Sequence, residues 1–216
     1  MLFHEIKTVF ISNSKNAKIN INNSNLSQKY AAKYLGDIIT EDGKYDQTIE
    51  ERKMNINGII AEIKSIMYQA EEDLEISAAK QYHEGIVVTK LLYNSESWTN
   101  LTKTNIEELE KIQNNSLKRL LRIPYSTPSL GLLYELQIPT IATTIEKRKL
   151  MYYHWISSQK ETLAKQILMQ QRTLQSNHFL KQIKCLLEKY QLQKNDDNIT
   201  KITKFQWKKL VFQATQ

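Results

Sequence analysis

Glycine, proline and cysteine are all scarce in this 216-residue sequence, at 5, 3 and 1. So few glycines and prolines argue against a loop-rich or all-β fold, whose turns need them. The single cysteine, Cys185, excludes an internal disulfide framework and a cysteine-based zinc site. No apolar run approaches the roughly 18 residues of a membrane span. The opening Met1-Leu2-Phe3-His4-Glu5-Ile6-Lys7 does not read as a signal peptide, because its apolar run is short and Glu5 interrupts it. The expectation is an intracellular protein, in nucleus or cytoplasm, with no membrane partner. His4, His83, His154 and His178 lie far apart, and no pair has the i, i+4 spacing of a helical zinc site. There is no glycine-rich phosphate loop, and no aspartate pair in the hairpin pattern that a two-metal polymerase needs. The expected catalytic and metal sets are therefore both empty.

What is present is helix-forming and unevenly charged. Hydrophobic residues make up 41% and charged residues 25%, the balance of a globular chain. Residues 1–140 carry 16 Lys and Arg against 18 Asp and Glu, a net of −2, whereas residues 141–216 carry 14 against 5, a net of +9. If any part faces a polyanion, the C-terminal third does.

The first 45 residues read as short strands. Glu5–Ile11 mixes β-branched and aromatic residues, and Ala17–Ile21 alternates polar and apolar, so the two are expected to pair as a hairpin. Asn22–Gln28 reads as loop, and residues 29–39 contain a third strand. Within Lys33-Tyr34-Leu35-Gly36-Asp37-Ile38-Ile39, the glycine marks a strand-end hinge where another part of the backbone comes close. Glu41-Asp42-Gly43 is a turn signal. From Asp46 the pattern becomes helical. A first helix reaches about Ala70, with Ile49, Ile56, Ile59, Ile60, Ile63, Ile66 and Met67 on its apolar face and Asp46 as N-cap. A second runs from about Ile76 to Tyr93, facing inward with Ala79, Tyr82, Ile86, Leu91 and Leu92, and Gly85 admits a close neighbour. A third starts at a capping box, Thr104-Asn105-Ile106-Glu107, and stops at Arg122-Ile123-Pro124. These three form an antiparallel bundle. Short helices are expected from Pro128 to about Leu136 and from Pro139 onward. Further helix occupies 159–192, with a break near Ser176-Asn177. A polar linker at 194–198 precedes a last helix over 200–212. Cys185 reads as a buried small hydrophobe, and Trp155 and Trp207 as core.

Cations cluster beside rings in three places. Lys118, Arg119 and Arg122 end the third helix; Lys147-Arg148-Lys149 precede Tyr152, Tyr153 and Trp155; Lys201, Lys204, Lys208 and Lys209 flank Phe205 and Trp207. Cations that hold phosphates next to rings that stack are the ingredients of nucleic-acid binding. The same pattern also describes the wet side of amphipathic helices whose rings are core.

Four segments, in order, resemble the region after the catalytic aspartates in reverse transcriptases of non-LTR (LINE-type) retrotransposons. Glu5-Ile6-Lys7-Thr8-Val9-Phe10 is similar to the strand that ends the palm. Lys33-Tyr34-Leu35-Gly36-Asp37-Ile38-Ile39 with Asp42-Gly43 is similar to the Tyr-Leu-Gly primer-grip segment. Lys90-Leu91-Leu92-Tyr93-Asn94-Ser95-Glu96-Ser97-Trp98 resembles the Leu-Tyr-Gly-x-Glu-x-Trp after the second thumb helix, with Asn94 and Ser95 near the usual glycine. Lys118-Arg119-Leu120-Leu121-Arg122-Ile123-Pro124 resembles Leu-Arg-x-x-Leu-Gly-Ile-Pro. Arg148–Trp155 fits the family's basic, aromatic downstream helix. The sequence departs from the family in lacking the fingers, most of the palm with its Asp-Asp motif, an endonuclease domain and a zinc knuckle.

The resemblance implies a mostly α fold. Short N-terminal antiparallel strands (a palm remnant, 1–45) precede a three-helix thumb-like bundle (46–124), a helical connector (125–193) and a basic C-terminal tail (194–216). It implies the template–primer-binding part of an RNA-directed DNA polymerase, inactive alone and partnered by the upstream polymerase domains. No cofactor is expected in this chain; Mg²⁺ would enter only with a full-length polymerase. The expected nucleic-acid contacts are Lys7, Tyr34, Leu35 and Gly36 near the primer end, Lys53, Lys64, Lys90, Lys118, Arg119 and Arg122 on the thumb, and Lys147, Arg148 and Lys149 beyond it. Two other functions fit the residues: a non-enzymatic nucleic-acid-binding protein, and a helical module that docks on a protein partner.

Overall fold

The computed structural model describes residues 9–12, 14, 18–21, 24–69, 74–160, 162–171, 179–196 and 198–215. The fold is mostly α, with short antiparallel strands ahead of the helices. Strands β1 (Ile19–Ile21) and β2 (Ser24–Leu26) pair with each other, as do β3 (Ala31–Tyr34) and β4 (Asp37–Thr40). This corrects three expectations. β1 pairs with β2 and, among the described residues, not with the Glu5–Ile11 segment; the stretch read as loop contains β2; and the stretch read as one strand folds back on itself. Each strand takes its nearest neighbour in sequence, the pairing with the smallest loop-closure entropy. Of the expected first strand, residues 5–8 lie outside the described residues, and Phe10 forms a lone parallel bridge to Gln28.

Helix α1 spans Asp46–Gln69. Ile49, Ile56, Ile60 and Met67 are buried as expected, while Ile66, at the edge of the apolar stripe, is exposed. Asp46 is the first helical residue, and its carboxylate accepts from Asn105 Nδ2 at 2.7 Å. The second helical segment is α2 (Ile76–Tyr82), a π-helical stretch over His83–Val88, and α3 (Thr89–Leu91). A π stretch inserts extra residues into the helical repeat and so rotates the inward stripe. The buried residues are consequently Ala79, His83, Val87 and Leu91, and Tyr82 is exposed. Gly85 meets no neighbour; the expected close approach is absent there.

Helix α4 spans Lys103–Leu120. Its capping box is Thr102 with Asn105, two residues before the expected one, each side chain bonded to the other's main-chain N–H at 3.1 Å. It ends with Arg122 in the left-handed region (φ 53°) and Ile123 N–H donating back to the Lys118 carbonyl, the closure of a Schellman-type end. Then follow α5 (Ser129–Glu135), α6 (Ile141–Ser158), α7 (Leu163–Gln170), α8 (Phe179–Lys189) and α9 (Lys204–Ala214). Pro128 sits at the cap of α5, not at its first helical position. The break expected near Ser176-Asn177 lies outside the described residues.

Two main cores form. In the first, α1, the α2–α3 segment, Trp98 and α4 enclose Ile141 and Ile145 from the start of α6. In the second, Leu150, Tyr153 and Ile156 from the rest of α6 meet α7, α8, Ile199, Trp207 and Val211. Trp207 is buried as expected. Its indole N–H donates to the Leu150 carbonyl at 3.0 Å, and its ring stacks on His154. Residues 194–216, expected as a basic tail, carry α9 and contribute to this core; Tyr153 reaches across to Asp196 at 2.6 Å. Cys185 and Trp155, expected to be buried, are both exposed.

Candidate nucleic-acid interface

The β3–β4 hairpin is closed by Leu35 and Gly36, both with positive φ (47° and 88°), as a two-residue turn of the type I′ kind requires. Gly36 is where the chain needs the freedom of a glycine. A Cβ there would lie 3.1 Å from the Tyr93 ring, so the close approach comes from a side chain and not from another backbone. Tyr34 and Leu35 project into solvent at the tip.

Beneath the tip sits a buried ionic junction that fixes it to the helices. Asp37 and Arg52 are 7% and 6% exposed and form a salt bridge. Asp37 also accepts from Asn94 Nδ2. Arg52 also donates to the Leu91 carbonyl at 2.8 Å, and its guanidinium lies 4.6 Å from the centre of the Trp98 ring. Burial lowers the Arg52 pKa, and the Asp37 charge opposes that shift. Asn94 has φ 58°, the conformation for which a glycine is the usual residue. On the other side of β4, the Thr48 hydroxyl accepts from Ile38 N–H at 3.0 Å and donates to the Ile38 carbonyl at 3.2 Å. The segments 33–39 and 90–98 are thus locked together through α1.

A groove of about 700 Å³ opens between the hairpin tip, α1 and α3. Lys33, Gly36, Lys90 and Tyr93 are on its walls, with Asn55 and Gly58 along α1. Its charge is balanced. Lys33 pairs with Glu51 and Arg52 with Asp37, and Glu62 stands opposite Lys90 in number if not in contact. Such a groove selects by shape more than by attraction.

Net positive charge lies instead where α1 meets the end of α4. Lys64, Lys118, Arg119 and Arg122 line a second cleft of about 590 Å³ with Ile123 and Tyr125, and among the described residues no acidic side chain lines it. Lys118 is turned inward and donates to the Tyr125 carbonyl at 2.9 Å, which holds the turn after α4. Arg119 donates to Asn57 Oδ1 at 2.7 Å.

The remaining expected contacts separate. Lys53 is held by Glu108 (2.9 Å) and Glu50, which raise its pKa and neutralise it locally. Lys147, Arg148 and Lys149 point three ways. Lys147 lies 4.7 Å from the centre of the Phe212 ring. Arg148 donates to the Leu92 carbonyl. Lys149 is buried and donates to Gln182 Oε1 at 2.8 Å; burial pulls its pKa down to about 8, against the pull of Glu146. Lys7 lies outside the described residues.

Among the described residues, no group of three His, Cys, Asp or Glu side chains is placed to hold a metal ion. No helix among them is long and apolar enough to cross a membrane. Comparison with protein-family models, curated proteins and solved structures found no match. Asp37, Arg52 and Tyr93 are not among the contacts expected from the sequence. The signal for Asp37 lay in its place beside Leu35-Gly36, but nothing local pairs it with a residue fifteen positions on.

Proposed function

We propose that this chain is the template–primer-binding part of a reverse transcriptase of the non-LTR type, inactive without the upstream polymerase domains. The observation that supports it most is the meeting of segments 33–39 and 90–98 at the Asp37–Arg52–Asn94 junction. These are two of the stretches that resemble the family, 57 residues apart at the Asp37–Asn94 bond, and together they wall one groove. In this reading the groove seats a short stretch of one strand, with Gly36 keeping the tip free of a side chain. The Lys64–Arg119–Arg122 cleft takes the phosphates of the duplex behind it. Shape and backbone contacts then matter more than base edges.

The test is binding of a fluorescent primer–template hybrid across a salt series. The expected log K against log salt plot is steep, and Lys64→Gln/Arg119→Gln reduces its slope by about one unit per charge removed. Salt-insensitive binding, or a slope unchanged in the double variant, would sink the assignment. Incorporation of dNTPs with Mg²⁺ above background would refute the statement that the chain is inactive alone.

A docking role has one observation in its favour. On α5, Leu130 and Tyr134 stand four residues apart, and both are exposed. If that face carries the function, Leu130→Glu/Tyr134→Glu leaves hybrid binding untouched.

A further inference from the structure

The rings and cations of α6 and α9 form a second site with a different character. Arg148, Met151, Tyr152 and Trp155 fall at i, i+3, i+4 and i+7, one stripe of α6 whose Met151 and Tyr152 pack against the edge of the second core. Lys204, Lys208 and Phe212 recur every four residues along α9, beside the buried Trp207 and Val211. The α6 stripe, with Lys204 and Phe212 of α9, lines a cleft of about 610 Å³. Within it Tyr152 and Trp155 stack, with ring centres 5.6 Å apart and planes 14° from parallel. Phe179 meets Tyr152 edge-on at 5.7 Å and fixes that ring from behind. Trp155 is 50% exposed, so one large aromatic surface is open and already oriented. Lys147 places its ammonium group 4.7 Å from the centre of the Phe212 ring, and Lys208 approaches the same ring at 5.5 Å. Among the described residues the one acidic side chain lining the cleft is Glu96, against Lys147, Arg148 and Lys204.

We infer that this α6–α9 cleft binds single-stranded nucleic acid, with an unpaired base stacked on Trp155 and the adjacent phosphates held by Lys147 and Lys204. A single strand is favoured over a duplex because only unpaired bases offer their faces to a ring. It is favoured over an acidic peptide because the open surface is a flat aromatic pair, which carboxylates do not use. The inference does not depend on the template–primer assignment: the groove beside Gly36 and the Lys64 cleft share no residue with it.

The sequence has three tryptophans; Trp98 and Trp207 are 0% exposed, so quenching by added oligonucleotide reports Trp155. The full chain is titrated with ten-residue oligo(dT) and oligo(U), with a labelled strand followed by anisotropy in parallel. Expected are quenching with both or with one, about tenfold weaker binding in Trp155→Ala, and near-normal affinity without quenching in Trp155→Phe. A preference for one oligomer assigns DNA or RNA. An abasic strand of equal charge binding as tightly overturns the proposal, as does blunt duplex competing as well as single strand. So does unchanged affinity in Trp155→Ala with helicity retained. Binding of an acidic peptide in place of both oligomers assigns the cleft to a protein partner and overturns it equally.

Discussion

The two cores are built on opposite electrostatic plans. The first, around α1 and α4, comes from the part of the sequence with a net charge of −2, and it keeps a charged pair inside, Asp37 with Arg52. The second comes from the part with +9 and is packed mainly from apolar side chains around Trp207, with Lys149, His154 and Ser157 the buried polar residues of α6. A buried ion pair costs desolvation that apolar residues do not incur, so it is a poor device for stability alone. Its geometry is specific, however: Asp37 accepts from α1 and from Asn94 at once, and thereby fixes the angle of the hairpin. The first core spends stability on orientation. The second supplies stability and presents its charge to solvent.

The largest expected effect breaks the first plan. Arg52→Met strands the Asp37 carboxylate in a buried site and is expected to cost about 3–5 kcal/mol in chemical denaturation. Asp37→Asn with Arg52→Met is expected to recover most of that, while hybrid binding stays impaired because the hairpin loses its fixed angle. Full recovery of binding in the double variant would show that the pair serves stability only. In the second core, Trp207→Ala removes a fully buried ring and its bond to the Leu150 carbonyl, and about 3–5 kcal/mol is expected to be lost. Residual hybrid binding measured below the new Tm is expected to be intact, the reverse of the Arg52 result.

The next effect is in pH. His83 is buried, and both ring nitrogens lack a hydrogen-bond partner. Burial pushes its pKa down to about 4, and the Gln113 main-chain carbonyl opposes the shift without closing a hydrogen bond. The unfolded chain titrates near 6.5. Between these values the unfolded state binds a proton that the folded state does not, so stability falls as pH drops from 6.5 towards 4 and loses no more below. The total is roughly 3 kcal/mol. Denaturation midpoints measured across that range are expected to decline, and His83→Met is expected to flatten the decline. The smallest effect is at the hairpin tip. Gly36→Ala must hold φ 88° and move the Tyr93 ring, which costs about 1–2 kcal/mol. Tyr93→Ala in the same background is expected to recover only the steric part.

Much of the helical framework was legible because it rests on periodicity: α1 begins and ends within a residue of its expected span, and α4 shows its buried Leu109, Ile112, Leu117 and Leu120. The hairpin was not, because the usual Asn-Gly or Asp-Gly signal is absent and Leu35 occupies a left-handed position. The π stretch was not legible either. It changes the phase of the helix without any residue that marks it, and so His83 replaced Tyr82 on the inner face. Among the site residues, the Lys64–Arg119–Arg122 cluster was within reach of charge and helix placement. The inward turn of Lys118 and Lys149 depended on partners 7 and 33 residues away and was not.

One helix belongs to both plans. α6 gives Ile141 and Ile145 to the first core and Leu150, Tyr153 and Ile156 to the second without a break in its backbone hydrogen bonds. Neither core can melt fully without stripping a length of α6, and a shortened helix frays from the new end into the other core. The helical part is therefore expected to unfold in one cooperative transition, with a single calorimetric peak whose enthalpy matches the van't Hoff value, despite having two interiors.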